Sequence, residues 1–408
     1  MSERNILIIG GGIFGAAIAY ALGRRGLGHR VLILERGQPA GGATSRAAAL
    51  VTMVRDDPAQ IALAQETFRA MDCLEGEYGE SVGRHNVGAL HVAPDHLGEA
   101  LKARAENAAH FGISSRWLDK NEALRRAPWL AADAFDLAVF YPDECYVDPY
   151  LLSSAYQRTA IGLGAKLRLD ANVVHITHAD GQVTGVDLSD GTHLPANIVI
   201  NAAGAWANLL STELGLPLPM APVRSQYWIS EPAAIFPRDG AIVLMPEIRA
   251  YARPEVGALL FGVRETRPAV ADPRQLPPDL GGFVFDPDDP DGWNNLAEGA
   301  ETLARYFPAI ESIGIAHYLT GPSNYTPDSQ LILGASRDIA GLFVATGCNG
   351  SGITFSGGVG RLLAEWIAGE AGYLDRTIFA PDRAGTFDPF SPALLQSCAA
   401  ARAQKTSG

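Results

Sequence analysis

Residues 5–37, NILIIGGGIFGAAIAYALGRRGLGHRVLILERG, decide how the chain folds. The apolar run at 5–9 is short and bounded by glycine, so it reads as a buried strand. Gly10, Gly12 and Gly15 follow in G-x-G-x-x-G spacing and open a helix rich in Ala, Ile and Leu. A second apolar strand at 30–34 ends at Glu35. This is βαβ order, with a glycine turn where a pyrophosphate can approach backbone N–H groups and a helix N-terminus. Glu35 lies slightly beyond the usual offset of about 20 residues, within the variation of helix and loop lengths. It would accept hydrogen bonds from an adenosine ribose and repel a phosphorylated one. The dinucleotide-binding candidates are Gly10, Gly12, Ile13, Phe14, Gly15, Glu35 and Arg36. A βαβ packing turn without a ligand is the alternative.

Composition narrows the class. A chain of 408 residues suggests about two or three domains. Its hydrophobic fraction of 47% is that of a globular protein, and its 44 glycines and 26 prolines are dispersed as turns. A formal net charge of -13 argues against nonspecific nucleic-acid binding, although a local arginine pocket can still hold an anion. Cys73, Cys145, Cys348 and Cys398 show no CxxC spacing and no histidine cluster, so neither a metal site nor a disulfide framework is expected. A reducing, cytoplasmic location fits that usage. No signal-peptide pattern and no stretch of membrane-spanning length stands out.

Further along, residues 59–80 pattern as a helix. The α/β pattern resumes near 149, with short strands divided by ADGQ and SDG turns and a buried strand, NIVINAAGAW, that opens at Gly204. Between about 217 and 325, the runs VRSQYWIS, AIVLMPEI, YARPE and GALLFGVRE read as antiparallel strands, with a Pro/Asp-rich loop at 272–292. Near the C-terminus, LFVATGCNGSGITFSGGVGRLLAEWIAG offers a strand, a glycine-rich loop and a second helix N-terminus suited to an anion or carbonyl.

Two glycine-rich strand-to-helix junctions thus bracket an inserted sheet, which suits a large bound cofactor better than a mobile nicotinamide. The ordered motifs are the glycine fingerprint with Glu35, GGATSR, NAAGAWA, YARPEVGALLFG, YTPDSQLILG and GCNGSGITFSGGVG. This set resembles the FAD-dependent amine and amino-acid oxidoreductases, which include D-amino acid oxidase and dehydrogenase, glycine oxidase, sarcosine oxidase and dimethylglycine dehydrogenase. The resemblance runs over roughly residues 4–371. It implies an α/β protein in which a Rossmann-like FAD-binding domain (1–85, 146–216 and 326–380) carries an inserted antiparallel-sheet (α+β) substrate domain (86–145 and 217–325). The Pro-, Ala- and Ser-rich tail, 381–408, is expected to be extended or disordered.

By the same resemblance, Gly10, Gly12 and Gly15 support the FAD pyrophosphate and Glu35 the ribose. Thr44, Ser45 and Arg46 wrap the pyrophosphate and ribityl chain. Val174 touches adenine through its backbone, and Ala203 and Gly204 line the adenosine side. Gly350, Gly352, Ile353 and Thr354 meet the flavin edge, where a helix N-terminus favours negative charge.

The implied chemistry is hydride transfer from the α-carbon of a free amine to flavin, giving an imine that water hydrolyses. The substrate is a small amino acid or amine, and the electrons leave to oxygen or a separate acceptor. Position and dielectric matter more here than side-chain acids and bases. A substrate carboxylate does need a clamp, and the planar fork of arginine suits it. Arg55 resembles an arginine of sarcosine oxidases; an ion pair with Asp56 or Asp57 is the alternative. Arg253 and Arg264 are rivals, with a surface salt bridge as the alternative for each, and alternation along ARPEVGALLFGVRE does not decide which of them faces the flavin, because the turn can hold a bulge. Tyr227, Tyr251 and Tyr325 either shape the pocket or hydrogen-bond the substrate, with core packing as the alternative for each.

Two departures count against a sarcosine substrate. Leu260 stands where sarcosine oxidases carry a lysine associated with oxygen activation, and Thr354 where they carry a carboxylate-binding lysine. Both favour a dehydrogenase or a differently anchored substrate. Cys348 reads as core packing and neither His85 nor His91 lies in the glycine turn, so noncovalent FAD is expected. A 2-hydroxy acid or glycerol-phosphate dehydrogenase, which would want a histidine base, and the flavin subunit of a multi-subunit dehydrogenase are the other readings. Homo- and hetero-oligomers are both open.

Overall fold

The βαβ unit forms as its pattern requires. In a computed structural model, which describes residues 5–405, β1 (Ile6–Ile9), α1 (Ile13–Arg24) and β2 (Val31–Leu34) follow one another. Gly10 adopts a φ of +105°, and a Cβ on Gly15 would stand 2.0 Å from the Gly10 carbonyl oxygen. Only glycine allows α1 to begin directly over that turn.

These strands centre a six-stranded sheet ordered Ile332–Ala335 (β18), Leu342–Thr346 (β19), Ile198–Asn201 (β12), β1, β2 and Lys166–Arg168 (β8). All pairs are parallel except β18 with β19. Such a sheet is buried on both faces, and strand alternation divides the core. Ile6 and Ile8 face α1, α2 (Pro58–Gly76), α5 (Pro149–Gly162) and α8 (Gly352–Ala368). Leu7 and Ile9 face α6 (Ala207–Glu213) and a three-stranded sheet of β9 (Val173–Ala179), β10 (Gln182–Leu188) and β11 (His193–Pro195).

The second large sheet has eight strands. Their order is Ile315–Tyr325 (β17), Ala221–Ser230 (β13), Ala258–Val263 (β16), Ala250–Glu255 (β15), Ile242–Met245 (β14), Ala89–Ala93 (β4), Leu137–Tyr141 (β6) and Arg116–Trp117 (β5). One pair, β14 with β4, is parallel, which corrects a purely antiparallel expectation. These two strands come from distant chain segments, so no hairpin dictates their relative direction. Helix α7 (Trp293–Tyr306) covers one face of this sheet through Leu296, Leu303 and Tyr306. Helices α3 (Gly98–His110) and α4 (Lys120–Arg126) lie in its first segment. A short pair, β3 (Leu50–Val51) with β7 (Cys145–Tyr146), links the two halves.

The expectation of an extended or disordered tail fails for residues 392–404. They form α9 (Pro392–Gln404), which starts with Pro392 in its first turn and Ser391 accepting the Leu394 N–H. Leu394, Leu395, Cys398 and Ala399 pack on Ala221, Val223 and Tyr325. That spacing makes a narrow apolar face that the tail's composition concealed. Residues 381–391 run through turns without helix or strand, and residues 406–408 of the expected loose tail lie outside the described residues. No helix among the described residues is long and apolar enough to cross a membrane.

Candidate active site

A cavity of about 870 Å³, counted with its open mouth, lies where the glycine-rich ends of the first sheet meet the second sheet. One wall carries Ile13, Thr44, Arg46 and the loop Gly350–Thr354; the other carries Tyr227, Tyr251, Arg264, Tyr325 and Arg402.

The first wall fits FAD. Gly12 caps α1 without a side chain, and the Ile13 N–H donates to Thr44 Oγ1 at 3.1 Å. Phe14 and Gly15 are buried in the first turn of α1. The Glu35 carboxylate, at the end of β2, accepts the Gly11 and Gly37 N–H groups at 2.8 and 2.9 Å. Gly10 abuts the start of the Ala203–Gly204 segment, since a Cβ there would come within 2.5 Å of the Ala202 oxygen. Val174 falls at a register shift between β9 and β10, which leaves its backbone outside the ladder pairing. Arg46 donates to the carbonyls of Gly41 and Gly42, while the Ser45 N–H donates to Ala40; both fold the 40–46 loop against the cavity. Arg36 is different. Its guanidinium lies 3.8 Å from the ring centroid of Trp206, so it braces the Gly204–Trp206 turn.

Strand register settles the arginines on the second wall. Leu259, Phe261 and Val263 of β16, with Ala250 and Ala252 of β15, belong to the core under α7. Tyr251, Arg253, Leu260, Gly262 and Arg264 therefore point the other way. Tyr251 lies across Gly262, where a Cβ would meet its ring at 2.5 Å, and both Tyr251 and Arg264 reach the cavity. The Arg264 guanidinium donates to the Tyr325 hydroxyl. Burial, with Arg402 nearby, lowers its pKa to about 10, so it stays a cation at neutral pH. Burial pushes the Tyr251 and Tyr227 hydroxyls up, keeping both neutral.

Two clamp candidates lie elsewhere. Arg253 Nε donates to the Ala48 carbonyl at 2.8 Å, and its Nη1 to the Pro254 carbonyl and the Glu255 carboxylate. It fastens β15 to the Ala47–Leu50 stretch of the cavity wall but does not itself line the cavity. Arg55 is buried behind Phe355, donating through Nη1 to Thr52 Oγ1 and the Val54 carbonyl, each at 2.8 Å. The alternative of a pair with Asp56 or Asp57 also gives way: Asp56 pairs with Arg104 at 3.1 Å and Asp57 caps α2. The strongest attracting charge on Arg55 is instead that of buried Glu144.

Other expectations shift as well. Cys348, read as core packing, is half-buried and lines the cavity. Thr354 lines it too, with its hydroxyl donating to the Leu50 carbonyl at 2.9 Å. Leu260 is buried opposite Arg253 in the ladder and outside the lining. His91 is buried beside Tyr141 and Glu144, and His85 stacks on Tyr146; neither lines the cavity. Sequence reasoning missed Arg402 and Lys405, since both lie in the supposed loose tail. The signal was available in the Ser391–Pro392 helix start and the apolar spacing after it.

The FAD dependent oxidoreductase family matches residues 5–366. The chain is 30% identical over 375 residues to 4-methylaminobutanoate oxidase (formaldehyde-forming) of Paenarthrobacter nicotinovorans, covering 90% of this chain but 44% of that protein. It therefore spans less than half the length of that curated relative. It is 29% identical to glycine oxidase of Geobacillus kaustophilus (strain HTA426), covering 89% and 92% of the two chains. Among solved structures, iminodiacetate oxidase from Chelativorans sp. BNC1 superposes with a TM-score of 0.75 at 28% identity, over 92% of this chain and 99% of that one. The glycine turn, the Glu35 carboxylate and the breadth of these matches agree: this chain belongs to the FAD dependent oxidoreductase family.

Proposed function

We propose that the protein oxidises the C–N bond of an amine that carries a carboxylate, an amino acid or N-alkyl amino acid, with FAD held noncovalently in the glycine cradle. The observation that carries this reading is a cationic Arg264 in the same cavity as the Gly350–Thr354 loop. FAD bound there supplies the acceptor for a hydride. Arg264 would grip the carboxylate through its planar fork, and Tyr251 and Tyr325 would fix the orientation of the chain beyond it. The positive charge of Arg264 and Arg402 disfavours an ammonium beside them, so the cavity would bind the amine in its free-base form. Loss of hydride from the carbon next to nitrogen to the bound acceptor would leave an iminium ion, which water hydrolyses to a carbonyl compound and an amine with release of a proton.

Glycine, 4-methylaminobutanoate and iminodiacetate, in the names of the three relatives, are all amines bearing a carboxylate. An alcohol substrate would instead want a base at its hydroxyl. No histidine is among the described residues that line the cavity. Oxygen or a separate acceptor would take the electrons onward.

Purified protein should be yellow and release FAD on denaturation. Anaerobic mixing should bleach it with carboxylate-bearing amines; bleaching by 2-hydroxy acids alone would reject the amine reading. Arg264→Lys should raise KM for a carboxylate-bearing amine by about tenfold or more while changing a carboxylate-free amine little, as expected for a lost charge-assisted fork.

A further inference from the structure

We propose that Arg402, delivered by the C-terminal helix, is a second carboxylate ligand, so that the cavity is built for an amine carrying two carboxylates. This rests on the amine-oxidising reading above and names the substrate class within it. Arg402 stands in the last turn of α9, beyond residue 366, where the family match ends. It is 2% exposed and lines the cavity, yet its Nε and Nη1 find no hydrogen-bond partner among the described residues. A buried guanidinium with idle donors is costly unless an anion takes them up.

The surroundings point to where that anion sits. The Arg402 guanidinium lies 5.7 Å from the centroid of the Tyr325 ring, a contact that positions it without using its N–H groups. The hydroxyl of the same tyrosine accepts from Arg264. One aromatic ring thus stands between two cations. Among the described residues the lining also holds Arg46 but no aspartate or glutamate, and Arg46 is engaged with the Gly41 and Gly42 carbonyls. Lys405, just past α9, donates to the Asn349 carbonyl and Ser351 Oγ, each at 2.8 Å. Those bonds pin the end of α9 to the loop on the cofactor side, and Cys398 packs its middle against β13 and β17. Arg402 is therefore held in place from both directions. A single carboxylate fills one guanidinium fork; two carboxylates fill two and bring two negative charges to the two cations.

Two stable ethers that flavin cannot oxidise as amines test this on the FAD-loaded, full-length protein. Methoxyacetate and oxydiacetate share an ether core and differ by one carboxylate. Their dissociation constants are read from the perturbation of the flavin absorbance at constant ionic strength. Oxydiacetate should bind about 10- to 100-fold more tightly, the increment expected of one charge-assisted pair. Arg402→Gln should nearly abolish that difference while leaving methoxyacetate affinity and FAD content unchanged, and Arg402→Lys should restore part of it. Equal affinity of the two ethers in the unaltered protein would overturn the proposal whatever the variants do, and would leave the amine reading standing. So would a loss of affinity for both ethers alike in Arg402→Gln, since that marks both arginines on a single carboxylate. If neither ether binds while FAD is retained, the carboxylate-amine reading falls together with this one.

Discussion

Glu144 is fully buried behind the cavity, where one carboxylate oxygen accepts the Met53 and Val54 N–H groups at 2.9 and 3.1 Å. Its other oxygen faces His91 Nε2 at 3.9 Å. Burial raises its pKa from 4.5 to about 7, against the opposing pull of the Val54 N–H and Arg55. Burial also keeps His91 neutral, with a pKa of about 3, lowers Arg55 to about 10 and raises neighbouring Tyr141. A carboxyl group whose folded pKa lies above its unfolded value lends stability that is full below the unfolded pKa and is lost as pH rises through the folded one. The window runs from pH 4.5 to about 7, and the loss is on the order of 3 kcal/mol. Glu144→Gln should flatten the pH dependence of unfolding free energy across that window, measured by denaturant titration. Slopes identical to those of the unaltered protein would reject the assignment. Nothing local distinguishes Glu144 from a surface acid in "PDECYVDP"; its burial comes from the strands that close over it. Glu35 was legible because its role depends on the strand that it ends.

Helix α8 shows the same contrast at the scale of elements. Its glycines let it press against two other helices: a Cβ on Gly358 would fall 2.5 Å from Leu63 Cα in α2, and one on Gly360 2.5 Å from the Ala17 oxygen in α1. Both obstacles are backbone, so neither can swing aside. Gly358→Ala should destabilise the protein by roughly 1–3 kcal/mol in denaturant unfolding, the usual effect of overpacking a close contact. An unchanged midpoint would mean that the helices part freely. The run GITFSGGVG already told of a glycine-rich helix start, but which glycines meet backbone depends on which helices cross there. Alternation along β15 and β16 likewise marked two faces without naming the inner one. The core under α7 decides that, and it turns Tyr251 and Arg264 into the cavity.

On the scale of the whole molecule, α9 closes the cavity from the far end of the chain. Cys398 is fully buried in its contact with Ala221, Val223 and Tyr325, and burial pushes its thiol up to about 12. Cys398→Asp would place a charge in that contact and should release the helix. Trypsin should then cleave at Arg402, which is buried in the intact protein, while FAD content is retained. Resistance equal to that of the unaltered protein would show that the docking tolerates the charge. The amino-acid sequence by itself determined the α/β class, the glycine cradle and the carboxylate that follows it. Those features arise from contiguous residues whose backbone geometry sets the site. Only the tertiary structure decided which arginines line the cavity. Arg264, Tyr325 and Arg402 come from β16's end, β17 and α9, and their convergence depends on strand register and on a helix docking far along the chain. Arg55 and Arg253 carry the same side chain but lie outside the lining, Arg253 held by the Ala48 carbonyl and Arg55 by Thr52 Oγ1 and the Val54 carbonyl through Nη1 alone.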